Sequence, residues 1–509
     1  MYNRQKIILS LIVLMAIMFG QGPFWIDPDV VIDSARDYQA ISVATRRSNG
    51  EVFVAVSGKF FEDTTRYGIK VYRSLDGMNW SQYLWWSISQ GNVFNPSMTV
   101  FTAQDSEFLY VAFENWDTIA NERNIRAYRR NLALSSGLYR DISIISGVTE
   151  KDPSLCTSNP AHLNSPWLFC AFVSGDSIAF IRSANYGLTW TDRQIICPGS
   201  ATADYLNPSC AFGWFSTPPE SMSVGVAWQY LDNTATVREI RFRKNTLNGM
   251  PGFWRPTIQF TSPVNCYDGF PCLQMTHGGH PSAVITFVRK DTLGTDKAHL
   301  CYFFSTNGGN TWNSGHIYTS SYATNVPQDL VVDDTLGYYH VAFRDQDGSM
   351  IYQKARYDSI SSPWSSPVYF SSGNNWSDWD LPAIGVRNGE PYVAWVDYHS
   401  PVYKLKFDAQ WLLTAVNEHK SASLPNLVAV SPNPAKGAFT VHYQVNNPGR
   451  VRIALYDALG RLVRNVLECE MMVGQHQTKI ETKTLAAGTY FVVIDILDQT
   501  WKKWIVIMK

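Results

Sequence analysis

Side chains that could bind or transform a ligand recur in this 509-residue sequence next to short apolar segments. Carboxylates, arginines and aromatic residues stand together there, a mixture suited to holding sugars or peptides. The side chains predicted to contact a ligand are Glu114, Trp116, Asp152, Tyr230, Asp268, Arg289, Arg344, Asp345, Trp379, Asp380 and Asp397. The alternative is that these positions are polar only because loops are exposed, so that many of them have no role. No residue is predicted to be catalytic.

The apolar segments repeat along the chain. Their central residues are Ala55, Ala112, Ala171, Ala227, Thr286, Ala342 and Ala394, so that successive copies lie 52 to 59 residues apart. A proline precedes every copy after the first, at Pro96, Pro153, Pro208, Pro271, Pro327 and Pro382. Each is predicted to be the first residue of a strand, where no ladder donor is needed. A period above about 50 residues without a helical pattern is typical of propeller blades, each a four-stranded antiparallel sheet. The predicted fold class is all-β, a seven-bladed β-propeller followed by a small Ig-like β-sandwich.

A further marker lies between the copies, in segments rich in Ser, Asn, Gly and Trp. The spacing S-x-N-x-G-x-T-W is shared by Ser183, Asn185, Gly187 and Trp190 with Ser305, Asn307, Gly309 and Trp312, and Ser74, Asp76, Gly77 and Trp80 form a shorter version. These segments resemble the Asp-box, a hairpin motif of sialidase-type β-propellers, and the resemblance covers roughly residues 30 to 415. It implies that these residues are structural and lie on the edge facing away from the active site. The polar side chain bonds nearby backbone N–H groups, glycine supplies a positive φ, and tryptophan buries against the blade.

A sialidase would need more than this fold. That family uses three arginines to hold a carboxylate, an acid/base Asp, and a Tyr activated by Glu. The aromatic-Arg-Ile-Pro motif that carries its first arginine is absent, Arg289 and Arg344 follow their strands at different offsets, and no motif supports Arg36 or Arg46 as a third. Seven repeats also depart from the six blades typical of sialidases. We therefore expect a non-catalytic glycan- or protein-binding module. A sialidase-like glycoside hydrolase or a lyase is the alternative, and a convergent arginine triad would favour it.

The C-terminal residues carry a different pattern. A polar linker is predicted at 416–425, after a propeller spanning 22–415, and residues 426–509 read as a small β-sandwich of alternating strands. The ordered motifs are S-P-N-P-x-x-G from Ser431, L-Y-D-x-x-G-R from Leu455 and L-x-x-G-x-Y from Leu485. They resemble the C-terminal sorting domain of type IX secretion, which implies export through the outer membrane by the secretion machinery. The alternative is an Ig-like accessory module without a sorting role.

Residues 1–21 are predicted to be a signal peptide. Arg4 and Lys6 precede an apolar run at 7–19, and small residues follow. The alternative, a membrane anchor, is disfavoured because 13 residues are short for a bilayer span. The mature protein is therefore expected to be secreted or at the outer cell surface, and not to be an integral membrane protein.

Charge and cysteine usage limit the remaining classes. A net charge of −1 argues against a nucleic-acid partner, and we expect a monomer without cofactor, although calcium in an acidic loop stays open. The cysteines are interpreted either as free buried thiols or as forming a Cys156–Cys170 or a Cys266–Cys272 disulfide. His277 and His280 are a close histidine pair that we expect to lie on a loop without metal.

Overall fold

The computed structural model shows a chain built from β-strands. It describes residues 24–25, 29–89, 91–134, 137–158, 166–215, 222–233, 237–263, 265–278, 280–291, 297–320, 328–345, 348–358, 364–371, 382–387, 389–399, 402–411, 428–445, 449–457, 461–472, 474–496 and 499–508. These residues contain no α-helix, and therefore no apolar helix of membrane-spanning length. The chain divides into two compact units, Met1–Ala415 and Val416–Lys509.

The first unit begins with two strands and three four-stranded sheets. The two strands are β1 (Phe24–Trp25) and β2 (Val30–Ala35). Sheet 1 contains β3 (Asp37–Thr45), β4 (Val52–Phe60), β5 (Asp63–Ser74) and β6 (Ser81–Trp86). Sheet 2 contains β7 (Gly91–Ala103), β8 (Ser106–Asp117), β9 (Glu122–Asn131) and β10 (Gly137–Ser143). Sheet 3 contains β11 (Glu150–Thr157), β12 (Leu168–Ser174), β13 (Ser177–Ser183) and β14 (Thr191–Cys197).

Four more sheets complete this unit. Sheet 4 contains β15 (Ala203–Phe215), β16 (Met222–Asp232), β17 (Val237–Asn245) and β18 (Ile258–Phe260). Sheet 5 contains β19 (Cys266–Met275), β21 (Ala283–Asp291), β22 (Ala298–Ser305) and β23 (Asn313–Thr319), while the intervening β20 (His277–Gly278) pairs with β15. Sheet 6 contains β24 (Gln328–Asp333), β25 (Tyr338–Arg344), β26 (Met350–Arg356) and β27 (Val368–Ser371). Sheet 7 contains β28 (Ala383–Arg387), β29 (Glu390–His399) and β30 (Val402–Trp411), with β1 and β2 paired to β30.

The seven sheets form a closed ring. Their first strands β3, β7, β11, β15, β19, β24 and β28 contact one another in this order, and β28 contacts β3. The early strand β2 pairs with β30, so that the start of the unit completes its last sheet. Each predicted apolar segment is a second strand, and its small central residue, such as Ala112 or Ala171, is fully buried. Small side chains suit these positions because neighbouring sheets pack closely face to face.

Serine side chains join neighbouring first strands. Ser97 Oγ accepts the N–H of Leu155 at 2.9 Å, and Ser154 Oγ accepts the N–H of Cys210 at 2.9 Å. Ser209 does the same for Leu273 of sheet 5 at 2.9 Å. A backbone donor that would otherwise be buried without a partner is thereby satisfied in each interface. The sequence carries this feature as a repeated Pro-Ser pair.

Pro96, Pro153, Pro208 and Pro271 lie at bulges inside the first strands, and not at the first residue as predicted, whereas Pro382 directly precedes β28. Pairing shifts at Phe94/Ser97, Lys151/Ser154, Leu206/Ser209 and Gly269/Cys272. The residue before each of these four bulge prolines has a positive φ, namely Asn95 at 49°, Asp152 at 55°, Asn207 at 49° and Phe270 at 53°. A bulge suits proline because the extra residue of a bulge is unpaired in the strand ladder, so that no backbone N–H donor is needed there.

The Trp-containing hairpins join the third and fourth strands. Asn185 Oδ1 accepts the N–H of Thr189 at 2.9 Å, and Ser183 Oγ accepts the N–H of Gly187 at 3.0 Å, where φ is 75°. The equivalent Asn307 and Ser305 of sheet 5 bond Thr311 and Gly309 at 2.9 and 2.8 Å. Trp190 and Trp312 are half-buried against the neighbouring sheets. In register, Ser183 pairs with Leu168, the start of β12, so these hairpins lie at the edge opposite the end of the second strand.

The second unit has two sheets around one hydrophobic cluster. One sheet contains β31 (Val428–Ser431), β33 (Ala438–Val445) and β36 (Gly474–Glu481). The other contains β32 (Ala435–Lys436), β34 (Gly449–Asp457), β35 (Leu462–Met471), β37 (Gly488–Ile496) and β38 (Gln499–Met508). Val441 from the first sheet and Ile453 and Val492 from the second are fully buried in the shared cluster. The unit therefore has its own core.

Candidate functional site

The predicted ligand-binding side chains that the structure describes lie at one edge of the ring. This site edge is where the first strands begin and the second strands end. In register, Phe94 pairs with Glu114, Tyr205 with Tyr230 and Asp268 with Arg289. The described members are buried at Glu114, Asp268, Arg344, Asp345 and Asp397, and half-buried at Trp116, Asp152, Tyr230 and Arg289. Trp379 and Asp380 lie outside the described residues.

Glu114 is the centre of a buried polar cluster between sheets 2 and 3. Arg123 Nη1 lies 2.9 Å from Glu114 Oε1, and the Asn95 amide donates to Glu114 at 3.3 Å and to Asp152 at 3.0 Å. Glu114 is 2% exposed. Burial, together with the nearby charge of Asp152, raises the pKa of Glu114 to about 7. Burial also raises the pKa of Asp152. A carboxyl group that titrates near neutral pH could serve as a general acid or base.

In sheet 4, Gln229 occupies the position that corresponds to Glu114 in sheet 2. Gln229 follows the central residues of its strand as Glu114 does, and its Oε1 accepts from the Asn207 amide at 3.2 Å and from the Phe270 N–H at 3.4 Å. Glu114 accepts from the Asn95 amide and from the Asp152 N–H at 3.3 and 3.4 Å. Both side chains join one sheet to the bulge of the next. The Glu114 carboxylate therefore has a packing role that a neutral amide fills elsewhere in the ring.

We expect Glu114→Gln to remove a pH dependence of stability. The pKa of Glu114 is raised to about 7 in the folded chain from 4.5. The protonated carboxyl therefore stabilises the fold fully below pH 4.5, and this contribution is lost as pH rises through 7. The loss is on the order of 3 kcal/mol for a shift of this size. Urea unfolding should be measured at several pH values. Between pH 4.5 and pH 8, the free energy of unfolding of the variant should rise by about this amount relative to that of the wild type.

Gln229→Glu is the matched control. It places a carboxyl group in the equivalent contacts of sheet 4, and it should create a pH dependence of the same sign. If the difference in unfolding free energy between Glu114→Gln and the wild type does not change with pH, burial of the charged Glu114 carboxylate does not destabilise the fold.

Asp268 and Arg289 form a closed pair in sheet 5. Arg289 Nε donates to Asp268 Oδ1 and Arg289 Nη2 to Asp268 Oδ2, each at 2.7 Å, and Asp268 is fully buried. Burial alone would lower the pKa of Arg289, but the bonds to Asp268 raise it. This geometry is a bidentate arginine–carboxylate pair. The guanidinium therefore satisfies a buried carboxylate with two of its five N–H donors.

The other predicted charges also have partners within the ring. Arg344 Nη1 donates to the Val396 carbonyl at 3.3 Å, across to sheet 7. Asp345 accepts from Tyr318 at 2.7 Å, and Asp397 pairs with Lys406 at 2.7 Å. Each of these contacts links strands or sheets. Such pairs fix the fold around the site edge.

The two arginines considered as a third carboxylate holder lie far apart in the fold. Arg36 is exposed at the start of β3, on the site edge. Arg46 follows β3 at the opposite edge, where it pairs with Glu107 at 2.7 Å and Glu51 at 3.2 Å. Arg46 therefore cannot join Arg289 around one ligand carboxylate.

Aromatic rings stand beside these pairs on the site edge. The Arg123 guanidinium lies 4.6 Å from the centre of the Trp116 ring, and the Arg241 guanidinium lies 3.4 Å from that of Tyr230. Tyr230 also packs on Tyr205, with ring centres 5.6 Å apart. These arginines orient the aromatic side chains by cation–π contact.

Phe270 is a site-edge residue that sequence reasoning missed. It is 40% exposed and has a φ of 53°. The left-handed region is costly for a bulky residue, whereas Asn and Asp tolerate it, and the equivalent positions of sheets 2 to 4 hold Asn95, Asp152 and Asn207. The available signal was the residue before the repeated proline, which is polar in sheets 2 to 4 and is Phe270 in sheet 5. A strained backbone conformation at an exposed aromatic residue indicates a functional role for its ring.

A cavity of 460 Å³ runs along the axis of the ring. Its wall comes from the first strands of all seven sheets, including Ser97, Ser154 and Asp329. None of the predicted ligand-binding residues that the structure describes lines it. The site edge and the axial cavity are therefore separate features.

The cysteines do not pair as either sequence-based bridge predicts. Cys170 Sγ faces the Ala171 carbonyl at 3.8 Å, Cys266 Sγ faces Asp291 at 3.5 Å and Cys272 Sγ faces Asp329 at 3.2 Å. Cys156 instead approaches Cys210 of the next sheet. The Cys156–Cys170 and Cys266–Cys272 pairings are therefore wrong, because these side chains point into different interfaces.

His277 lies in the short strand β20 and contacts Asp334. Its Nδ1 is 2.6 Å from Asp334 Oδ2, and its N–H donates to Asp334 Oδ1 at 2.8 Å. Within the described ranges, no group of three His, Cys, Asp or Glu side chains is arranged to hold a metal ion.

The second unit matches a known family. Residues 429–508 match the secretion system C-terminal sorting domain. This chain therefore carries a type IX sorting tail. The tail directs the protein to the cell surface or the extracellular space, as the ordered motifs of the sequence predicted. No curated protein sequence matches the chain.

Solved β-propeller structures resemble this chain. A polysaccharide lyase, a PL25 ulvan lyase bound to -[GlcA(1-4)Rha3S]-, has a TM-score of 0.50 and 10% identity, covering 75% of this chain and 95% of that chain. A leech intramolecular trans-sialidase has a TM-score of 0.41 and 12% identity, covering 75% and 70%. The BP39L lectin from Burkholderia pseudomallei has a TM-score of 0.43 and 12% identity, covering 71% and 96%. The lyase shares the fold with this chain, and at 10% identity the fold alone.

Proposed function

We propose that this protein is an exported seven-bladed β-propeller that binds an extracellular glycan without transforming it. In this proposal residues 1–21 are a signal peptide, 22–415 the propeller with Asp-box hairpins, 416–425 a linker and 426–509 an Ig-like sorting domain. The observation that carries the binding role is Phe270, an exposed aromatic side chain kept in a strained backbone conformation on the site edge. Sugar rings present apolar C–H faces that pack on aromatic rings, while hydroxyl groups bond to nearby polar side chains.

The occupied charges support binding over catalysis. Arg289 is held by Asp268 through two bonds, and Arg123 is held by Glu114. A carboxylate-holding enzyme site would present such arginines to its substrate. What the described site edge offers to a ligand is mainly its aromatic surface, with Trp116, Tyr230 and Phe270 in three different sheets. This distribution suits a broad, shallow contact with a polymer.

We expect Phe270→Asn to lose ligand affinity while the fold is kept. Asparagine is the residue at two of the equivalent bulges, so the left-handed conformation becomes less strained, and relief of roughly 1–2 kcal/mol offsets the lost packing of the ring. Stability should therefore stay within about 1 kcal/mol of the wild type. Binding of full-length protein to a glycan array should first identify the ligand. Titration with that glycan should then show affinity at least about tenfold weaker, as expected for loss of an aromatic anchor.

Phe270→Tyr is the control, because it keeps the ring and should keep the affinity. Wild-type affinity in Phe270→Asn would contradict a role for this side chain. A wild-type protein that binds no glycan on the array would contradict the glycan proposal itself.

A glycoside hydrolase or lyase is the second candidate, and one observation favours it. Glu114, with its pKa raised to about 7 beside the Asp152 carboxyl, has the proton affinity of a general acid or base. Its 2% exposure and the equivalent Gln229 favour a packing role instead. Product release from a bound glycan, abolished in Glu114→Gln, would establish the enzyme reading.

A further inference from the structure

Cys156 and Cys210 face each other across the interface between sheets 3 and 4. Their sulfur atoms are 2.9 Å apart, within one ångström of the ~2.05 Å bond of a disulfide. Both side chains line the axial cavity, with Cys156 half-buried and Cys210 buried. The pair therefore lies on the wall of the ring and joins two strands that are 54 residues apart in sequence.

The strand register explains why these two side chains meet. Alternate residues of a strand point to opposite faces. Ser154 points from β11 toward sheet 4, where its Oγ accepts the Cys210 N–H at 2.9 Å, and Cys156 points to the same side because it is two residues further on. Cys210 packs with Phe169 and Phe180 of sheet 3, so its side chain points back toward β11. The next interface around the ring repeats this arrangement with Ala211 and Leu273, which pack together in one hydrophobic cluster.

We propose that Cys156 and Cys210 form an inter-sheet disulfide in the exported protein. The sorting tail marks a chain that is exported through the outer membrane, and such a chain passes through compartments where disulfides form and persist. The oxidant required is the disulfide of an extracytoplasmic thiol oxidoreductase. One thiolate of the pair attacks that disulfide and forms a mixed disulfide, and the other then displaces the oxidoreductase. The two cysteines lose two protons and two electrons in total, and the oxidoreductase leaves as a dithiol.

Burial decides the order of the two steps. Burial and contact with Cys156 raise the pKa of the Cys210 thiol. Cys156, the more exposed of the two, is therefore the thiol that attacks first. The disulfide would join two neighbouring sheets at the wall of the axial cavity and so restrict the opening of the ring. A cross-link that closes a long loop constrains mainly the unfolded chain.

Peptide mapping of full-length protein recovered from the culture medium tests the pair. Free thiols are first blocked under denaturing, non-reducing conditions, and the chain is then cut after aromatic residues. Trp167 and Phe169 separate Cys156 from Cys170, and Tyr205 separates Cys197 from Cys210, so each thiol lies on its own peptide. We expect the Cys156 and Cys210 peptides to be joined until reductant is added. Blocked thiols at both positions in the unreduced protein would overturn the proposal.

Thermal unfolding gives a second readout. Reductant should lower the melting temperature of wild-type protein by about 5 °C, and should have no further effect on Cys156→Ser or Cys210→Ser. Cys272→Ser is the control, because Cys272 lies on the same wall but faces the Asp329 carboxylate. It should keep the full response to reductant. Equal melting temperatures of wild-type protein with and without reductant would contradict the disulfide.

Discussion

A chain that lacks residues 416–509 should fold normally and fail to leave the cell. The first unit closes its own ring, since β28 contacts β3 and the early strand β2 pairs with β30. The core of the second unit belongs to that unit alone. Removal of the sorting domain therefore takes away the export address and leaves the ring of sheets intact. Fractionation of cells that express the truncated chain should find it in the periplasm, with extracellular protein near background.

The reciprocal experiment controls for damage to the truncated chain. Residues 416–509 attached to an unrelated periplasmic protein should bring that protein to the surface or the medium. The truncated chain itself should keep the melting temperature of the first unit. Export of the truncated chain at normal levels would contradict a sorting role for the second unit.

Arg289→Ala should be among the most destabilising substitutions on the site edge. Asp268 is fully buried, and Arg289 is its bidentate partner. Removal of the guanidinium leaves a buried carboxylate without its partner charge, at a cost of about 3–5 kcal/mol. Denaturant unfolding of purified protein should show this loss directly. The protein that remains folded should bind its ligand with nearly unchanged affinity, because the guanidinium serves the fold.

The double substitution Asp268→Ala with Arg289→Ala gives the control. It removes both charges, so it should be less destabilised than Arg289→Ala alone. An Arg289→Ala protein with wild-type stability and lost binding would show that Arg289 faces the ligand and that the pair was assigned the wrong role.

Periodicity was enough to predict the strands but not every position within them. Apolar runs around Ala112 and Ala171 predicted strands, and the structure buries both as second strands, because burial on both faces leaves little choice of residue. The repeated prolines predicted a strand start, whereas the structure places Pro96 and Pro153 at bulges inside the first strands. A proline marks a missing N–H donor, and both a strand start and a bulge satisfy that condition.

The site edge could be located from the sequence, while the roles of its side chains could not. Asp268 near the start of a first strand and Arg289 near the end of a second strand lie side by side at one edge, as their places in the repeat predicted. Whether an arginine faces a ligand or a neighbouring carboxylate depends on distances within the fold, and spacing along the chain does not contain them. Phe270 was missed because it is distinguished by its positive φ, which the spacing of residues along the sequence does not report. Cys156 and Cys210 were missed as a pair because they meet between sheets.

The most direct test of binding without catalysis is prolonged incubation of the array-identified glycan with full-length protein. Size-exclusion chromatography and absorbance of unsaturated sugar ends would detect hydrolase and lyase products, respectively. We predict that the glycan stays intact with wild-type protein and that Glu114→Gln binds it with unchanged affinity. Release of shorter products by the wild type, abolished in Glu114→Gln, would contradict this account and make Glu114 a catalytic residue.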